Sequence, residues 1–169
     1  ADVLTQLGSA KDDEAPVLNI EAGGRLYGRR QQFLLLLGSE TVVGIKDSSG
    51  DWNNLNAILT NFPGFGTFTG SEKFLLATLR AGGAGSINAV ANVIAPAERR
   101  LVDNIDSPEA EALQEEINGV RESYSGYAPI PSLKQFVAHM RQDPAWRNVR
   151  PPLAQMSSAD AKIIIDRFD

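Results

Sequence analysis

Lys46 closes the apolar run Thr41-Val42-Val43-Gly44-Ile45 and is followed at once by Asp47-Ser48-Ser49-Gly50-Asp51. A cation ending a stretch that reads as a buried parallel strand is costly to hold unless it is paired or used. Partial removal from water lowers the pKa of an amine, and a neutral primary amine both adds to a carbonyl carbon and leaves again. The residues thus point to Schiff-base chemistry at Lys46, with a strand-end lysine neutralised by Asp47 as the structural alternative.

Other chemistries have less to build on. Cysteine is absent, which excludes disulfides, thiolate nucleophiles, zinc–thiolate sites and iron–sulfur clusters. One histidine, His139, leaves little for a His-based metal site or triad, and its neighbours Phe136 and Met140 mark it as a surface or packing residue. Gly64-Phe65-Gly66 with Gly70 has the wrong spacing for a phosphate loop, and Lys73 is not preceded by glycine. Glu111, Glu115 and Glu116 read as a solvated helix face, and Trp52 and Trp146 as core or interface anchors. No cofactor is implied.

The 169 residues are 43% hydrophobic, which suits one compact domain with a real core. A net charge of −5 and a pI near 4.9 argue against a nucleic-acid partner. The longest unbroken apolar stretch, residues 33–37, is far too short to cross a bilayer, and no charged-then-apolar leader opens the chain. The expectation is a cytoplasmic protein with neither a membrane nor a nucleic-acid partner.

Four short strands are expected, over residues 16–20, 42–46, 67–69 and 85–88. Helical periods follow the first three, over 25–37, 51–62 and 72–80. In the second, Leu55, Ile58 and Leu59 share a face; in the third, Ser71 is the expected N-cap and Leu75, Leu76 and Leu79 face inward. Gly82-Gly83 stops that helix. Strands alternating with helices of this length predict right-handed βαβ units and a parallel sheet. The remainder reads as helices over 96–105, from Ser107-Pro108-Glu109 to about Tyr124, over 132–142, and from a Ser158 cap through Ile163, Ile164, Ile165 and Phe168. Tyr127-Ala128-Pro129-Ile130-Pro131 is expected to break the helix that precedes it, and Pro151-Pro152 to form a rigid connection. Residues 3–11 look like the remnant of a helix.

With the elements placed, Val43-Gly44-Ile45-Lys46-Asp47-Ser48-Ser49-Gly50-Asp51 resembles the Schiff-base strand of the dihydrodipicolinate synthase/N-acetylneuraminate lyase family of class I aldolases. Thr69-Gly70-Ser71, Gly82-Gly83-Ala84-Gly85-Ser86-Ile87 and Ala91-Asn92-Val93 are similar to that family's seventh and eighth barrel strands. The resemblance covers the chain from about residue 16 onward. The ending, residues 143–153, is similar to family members of unassigned sugar-acid or keto-acid type.

The resemblance implies the C-terminal half of a (β/α)8 TIM barrel, about four parallel strands within residues 1–95. The last barrel helix and a helical extension would follow over 96–169. A whole barrel needs about 250 residues, so either the sequence is a carboxy-terminal fragment or another chain completes it. It further implies that Lys46 is the catalytic nucleophile toward pyruvate or a related 2-oxo acid, and that Gly70 and Ile87 bring main chain close to this substrate. The family's proton-relaying tyrosine aligns with Leu18, which cannot transfer a proton; Glu21 or Tyr27 are the substitutes on offer. The family's distal-carboxylate arginine aligns with Gly23, two places before Arg25. Two functions follow: a Schiff-base lyase or aldolase, or a non-catalytic half-barrel acting through association. Both predict a homo-oligomer or completion by another chain, because half a barrel leaves strand edges and apolar faces uncovered.

Overall fold

The structure, a computed structural model, describes the backbone of residues 17–20 and all of residues 43–169. The helix expected over 25–37, together with Glu21, Gly23, Arg25 and Tyr27, lies outside the described residues, as does the segment over 3–11. Strands β1 (Val17–Ile20), β2 (Gly44–Asp47), β3 (Gly66–Thr69) and β4 (Gly85–Ser86) form one sheet in the order β1-β2-β3-β4, every pair parallel. Helix α1 (Trp52–Asn61) connects β2 to β3; a 3₁₀ turn (Glu72–Phe74) and helix α2 (Leu75–Arg80) connect β3 to β4. This is the expected βαβ succession.

The alternation of burial shows which face the helices cover. Ile45 and Asp47 on β2 and Thr67 and Thr69 on β3 are buried, while Lys46 and Phe68 between them are half-buried. Helices α1 and α2 pack on β3 and on each other, and Leu55, Ile58, Leu59, Leu75 and Leu76 are buried. Leu79, expected to face inward, is only half-buried; the fully buried residue of that turn is Thr78. Gly44 and Gly66 are register partners at the start of β2 and β3, where a Cβ at 44 would lie 2.6 Å from the Gly66 carbonyl oxygen. Side chains at this pair would push the strands apart.

The chain divides after Ile87 into two compact units, of which the second begins at Asn88. It contains α3 (Ala91–Asp103), α4 (Ala110–Ser123), α5 (Pro129–Arg141), a 3₁₀ turn (Pro144–Arg147) and α6 (Ser158–Phe168). Helix α3 thus runs across residue 95. Helix α4 packs on α3 and α6, and α5 on α3 and α6. The Phe136 ring stacks on Phe168 at 4.3 Å between centroids and meets Tyr124 edge-on at 6.0 Å, joining α4, α5 and α6 through one aromatic cluster. Leu101, Ile117 and Ile164 are fully buried.

Several helix starts differ from expectation for identifiable reasons. Helix α3 begins at Ala91, five residues before Pro96, because the Asn88 side chain accepts from the Ala91 amide at 2.8 Å and starts a turn early. Pro96 then lacks an N–H and crowds the preceding turn, and Ile94 leaves helical geometry at φ −120°, ψ 16°. The Ser107 hydroxyl accepts from the Glu109 amide, but the helix itself starts at Ala110. The expected break after α4 is present, but α5 starts at Pro129 rather than at 132, since the first helical turn has no use for the missing N–H groups of Pro129 and Pro131. The cap of α6 is Ser157, which accepts from the Asp160 amide, not Ser158. Ser71 makes no side-chain cap bond; its own amide donates to the Thr69 hydroxyl at 3.1 Å. The Pro151–Pro152 peptide is cis.

Candidate active site

Lys46 is the third of four residues in β2, so it sits at the carboxyl end of a parallel strand, where barrel enzymes carry their chemistry. Its register partners are Asn19 on β1 and Phe68 on β3; Leu18 pairs instead with Ile45. Beyond Phe68 the same row reaches Gly85, where a Cβ would come within 3.8 Å of the Phe68 ring. The row beside Lys46 toward β4 is therefore an aromatic ring followed by a bare backbone.

Gly70 and Ile87 occupy the equivalent places after β3 and β4. The Gly70 amide donates to the Asp47 carbonyl at 2.6 Å, and the Ile87 amide donates to the Thr69 carbonyl at 2.9 Å. These two bonds carry the ladder one step past the last strand residues and bring the tips of β2, β3 and β4 into one sequence. Gly70 is pressed against the segment that follows Lys46: a Cβ there would lie 2.5 Å from the Ser48 hydroxyl and 2.7 Å from the Asp47 carbonyl oxygen. No other residue type fits that approach. Ile87 is 41% exposed.

Asp47 does not neutralise Lys46. Asp47 is 4% exposed and its carboxylate is turned into the loop: one oxygen accepts from the Ser49 backbone amide at 2.8 Å, the other from the Ser49 hydroxyl and the Asn54 side-chain NH₂, each at 3.0 Å. The Ser49 hydroxyl in turn accepts from the Asp51 amide at 3.2 Å, and the Asp51 carboxylate caps α1 by accepting from the Asn53 amide at 2.9 Å. Strand, turn and helix are thereby locked as one piece. Among the described residues no carboxylate lies within ion-pairing distance of Lys46, and Asp47 satisfies itself elsewhere. The lysine is half-buried and uncommitted among these residues.

The Asn54 contact went unnoticed in the sequence. A polar residue at 54, in the α1 row of Leu55, Ile58 and Leu59, was the available signal. His139 bonds Asp169 at 3.0 Å between α5 and the end of α6. Glu111, Glu115 and Glu116 are exposed, and Glu116 pairs with Arg100. Trp52 is half-buried against Phe74 at 5.8 Å, whereas Trp146 is 41% exposed. Among the described residues there is no group of three or more His, Asp or Glu able to hold a metal ion, and no helix long and apolar enough to cross a membrane.

Comparison with known proteins gives the arrangement its context. The chain is 28% identical over 118 residues to an uncharacterized DapA-like lyase of Chloroflexus aurantiacus, covering 69% of this chain and 39% of that protein. It is 27% identical over 163 residues to a 4-hydroxy-tetrahydrodipicolinate synthase of Macrococcus caseolyticus, covering 92% and 54% respectively. The chain thus spans about half the length, or less, of these curated relatives. Among solved structures, dihydrodipicolinate synthase from Agrobacterium tumefaciens superposes with a TM-score of 0.67 at 29% identity, over 86% of this chain and 46% of that one. N-acetylneuraminate lyase from Fusobacterium nucleatum, complexed with pyruvate, gives 0.70 at 20% identity over 82% and 47%, a likeness of fold. The four parallel strands and their helices are part of a (β/α)8 barrel followed by C-terminal helices. With the family model of the dihydrodipicolinate synthetases matching residues 29–164, the chain belongs to the dihydrodipicolinate synthetase family.

Proposed function

We propose that this chain carries the nucleophile of a class I lyase or aldolase acting on pyruvate or a related 2-oxo acid. The observation that supports this most directly is Lys46 itself: half-buried at a strand tip, with the adjacent carboxylate committed to Ser49 and Asn54. In this reading the Lys46 amine adds to the ketone carbon and water departs, leaving a protonated imine. The imine draws electrons from the neighbouring carbon, so that a C–H or C–C bond there breaks to give an enamine. The reverse steps make the bond. Gly70, which admits no Cβ, and the carbonyl of Ile87, whose amide is used by Thr69, supply main chain to the keto acid. Leu18 offers no proton, so another group performs the proton transfers.

The same reading gives residues 1–95 to the barrel and 96–169 to its last helix and the extension. It also makes the functional species an oligomer or a barrel completed by another chain. Val43 and Ile87, on and beside the sheet, are 50% and 41% exposed, which suits surfaces that a partner covers.

Borohydride reduction in the presence of pyruvate, followed by peptide mass spectrometry, tests the chemistry. Mass added at the Lys46 peptide alone, and lost in Lys46→Arg, is the expected result. A folded chain that acquires no adduct at Lys46 would refute the enzyme reading and leave a half-barrel that works by association.

A further inference from the structure

The second unit contains a feature that the chemistry of Lys46 does not use. Lys134 and Arg141 lie seven positions apart on α5, and Trp146 folds back from the 3₁₀ turn that follows. The Lys134 ammonium is 5.6 Å and the Arg141 guanidinium 5.5 Å from the centre of the Trp146 ring, so two cations converge on one indole. These three residues border an open pocket of about 270 Å³ whose walls include Ile130, Leu133 and Val137, and no carboxylate lines it. The nearest acid in sequence, Asp143, is occupied: its side chain accepts from the Ala145 amide at 2.9 Å and so holds the turn that presents Trp146.

Charge and shape agree about what this pocket suits. The chain carries a net charge of −5, yet the charged side chains lining this pocket are Lys134 and Arg141, both cationic. Like charges gathered at an apolar wall repel one another unless an anion joins them. Trp146 keeps 41% of its surface and Ile130 42% in solvent, which provides a flat apolar platform beside the cations. A volume near the lower end of the roughly 300–1,000 Å³ typical of ligand sites restricts the guest to a small molecule. We infer that the α5–Trp146 pocket binds a small amphipathic carboxylate, its charged end between Lys134 and Arg141 and its apolar body on Trp146, Ile130 and Val137.

Trp146 provides the readout. Titrating the full chain, in a Trp52→Phe background, with 3-phenylpropanoate should produce a saturable change in Trp146 emission. This probe has no ketone and cannot form an imine at Lys46, so the result is independent of the aldolase reading. Lys134→Gln and Arg141→Gln should each weaken binding about tenfold or more, since each removes one charge-assisted contact. Both changes are at half-buried or exposed positions, and circular dichroism verifies that the helices persist. The neutral 3-phenylpropanamide should bind at least tenfold more weakly, and inorganic phosphate should not compete. Equal affinity for the amide, competition by phosphate, absence of saturation, or unchanged affinity in both glutamine variants would each overturn the assignment.

Discussion

Replacing Asp47 by asparagine probes the turn that holds Lys46 at its strand tip. The substitution keeps a carbonyl oxygen for the Ser49 amide but turns an NH₂ group toward Asn54, whose own NH₂ already points there at 3.0 Å. The Ser49 hydroxyl can rotate to accept; Asn54 can accept only by flipping its side-chain amide, which strands its own NH₂ where Oδ1 is now buried without a partner. One buried donor is stranded, at about 1–3 kcal/mol, and the remaining bonds lose the extra strength of an ionised acceptor, so D47N should lower stability by about 2–3 kcal/mol. Exchanging the two residues, D47N with N54D, restores a donor facing an acceptor. Recovery is partial, about 1 kcal/mol, because the other oxygen at position 54 is buried and has no hydrogen-bond partner. Urea unfolding followed by Trp52 emission, in a Trp146→Phe background, measures both effects, since Trp52 is the first residue of α1. The double-mutant cycle then isolates the contact. Strictly additive losses in the exchanged variant would refute the proposed lock.

Gly70→Ala should destabilise the first unit by about 1–3 kcal/mol, because the new methyl must displace backbone at Asp47 and Ser48; an unchanged urea midpoint contradicts this. Ser157→Ala should cost about 1 kcal/mol in thermal unfolding of the helical unit and Ser158→Ala close to nothing, with equal effects arguing against the Ser157 cap. The hydrogen bond from the Arg99 guanidinium, more than its charge, holds the exposed Asp103 carboxyl below the usual aspartate range. Because that pKa is depressed in the fold, the contact is present at neutral pH and lost as the pH falls through the lowered value. A carboxyl NMR titration should give a low midpoint that rises in Arg99→Gln, and an unmoved midpoint contradicts the pairing. Light scattering at micromolar concentration should show an associated species, and a monomer would count against the surface at Val43 and Ile87 being covered by a partner.

The strands were legible because Val42, Val43 and Ile45, and the residues around Phe68, form short apolar runs bounded by glycine and serine, with helical periods between them. Lys46 stood out for the same reason, as a charge at the end of such a run. Helix starts were less legible, since Ser71 and Thr69, or Ser157 and Ser158, are equivalent in type and only the path of the chain decides which hydroxyl turns back. Prolines at 129 and 131 look like breakers until the chain is seen entering a helix through them. The commitments of Asp47 depend on a turn folding back onto α1, a tertiary fact with no local pattern. The α5–Trp146 pocket escaped notice because Trp146 sits outside the helix whose cations flank it, although the spacing of Lys134 and Arg141 already placed them on one side.

In this sheet the order of strands in space is their order along the chain. No strand has to be inserted between two that are already in place, so assembly can proceed by accretion from either end, each addition closing only one strand-to-strand crossover. It also orders the influences on Lys46: the connection after β2 acts directly, through the bonds of Ser49 and Asn54 to Asp47, whereas the connection after β3 meets Lys46's strand by way of β3. Such a layout lets the loops at more distant strand tips diversify while the strand that carries Lys46 keeps its neighbours.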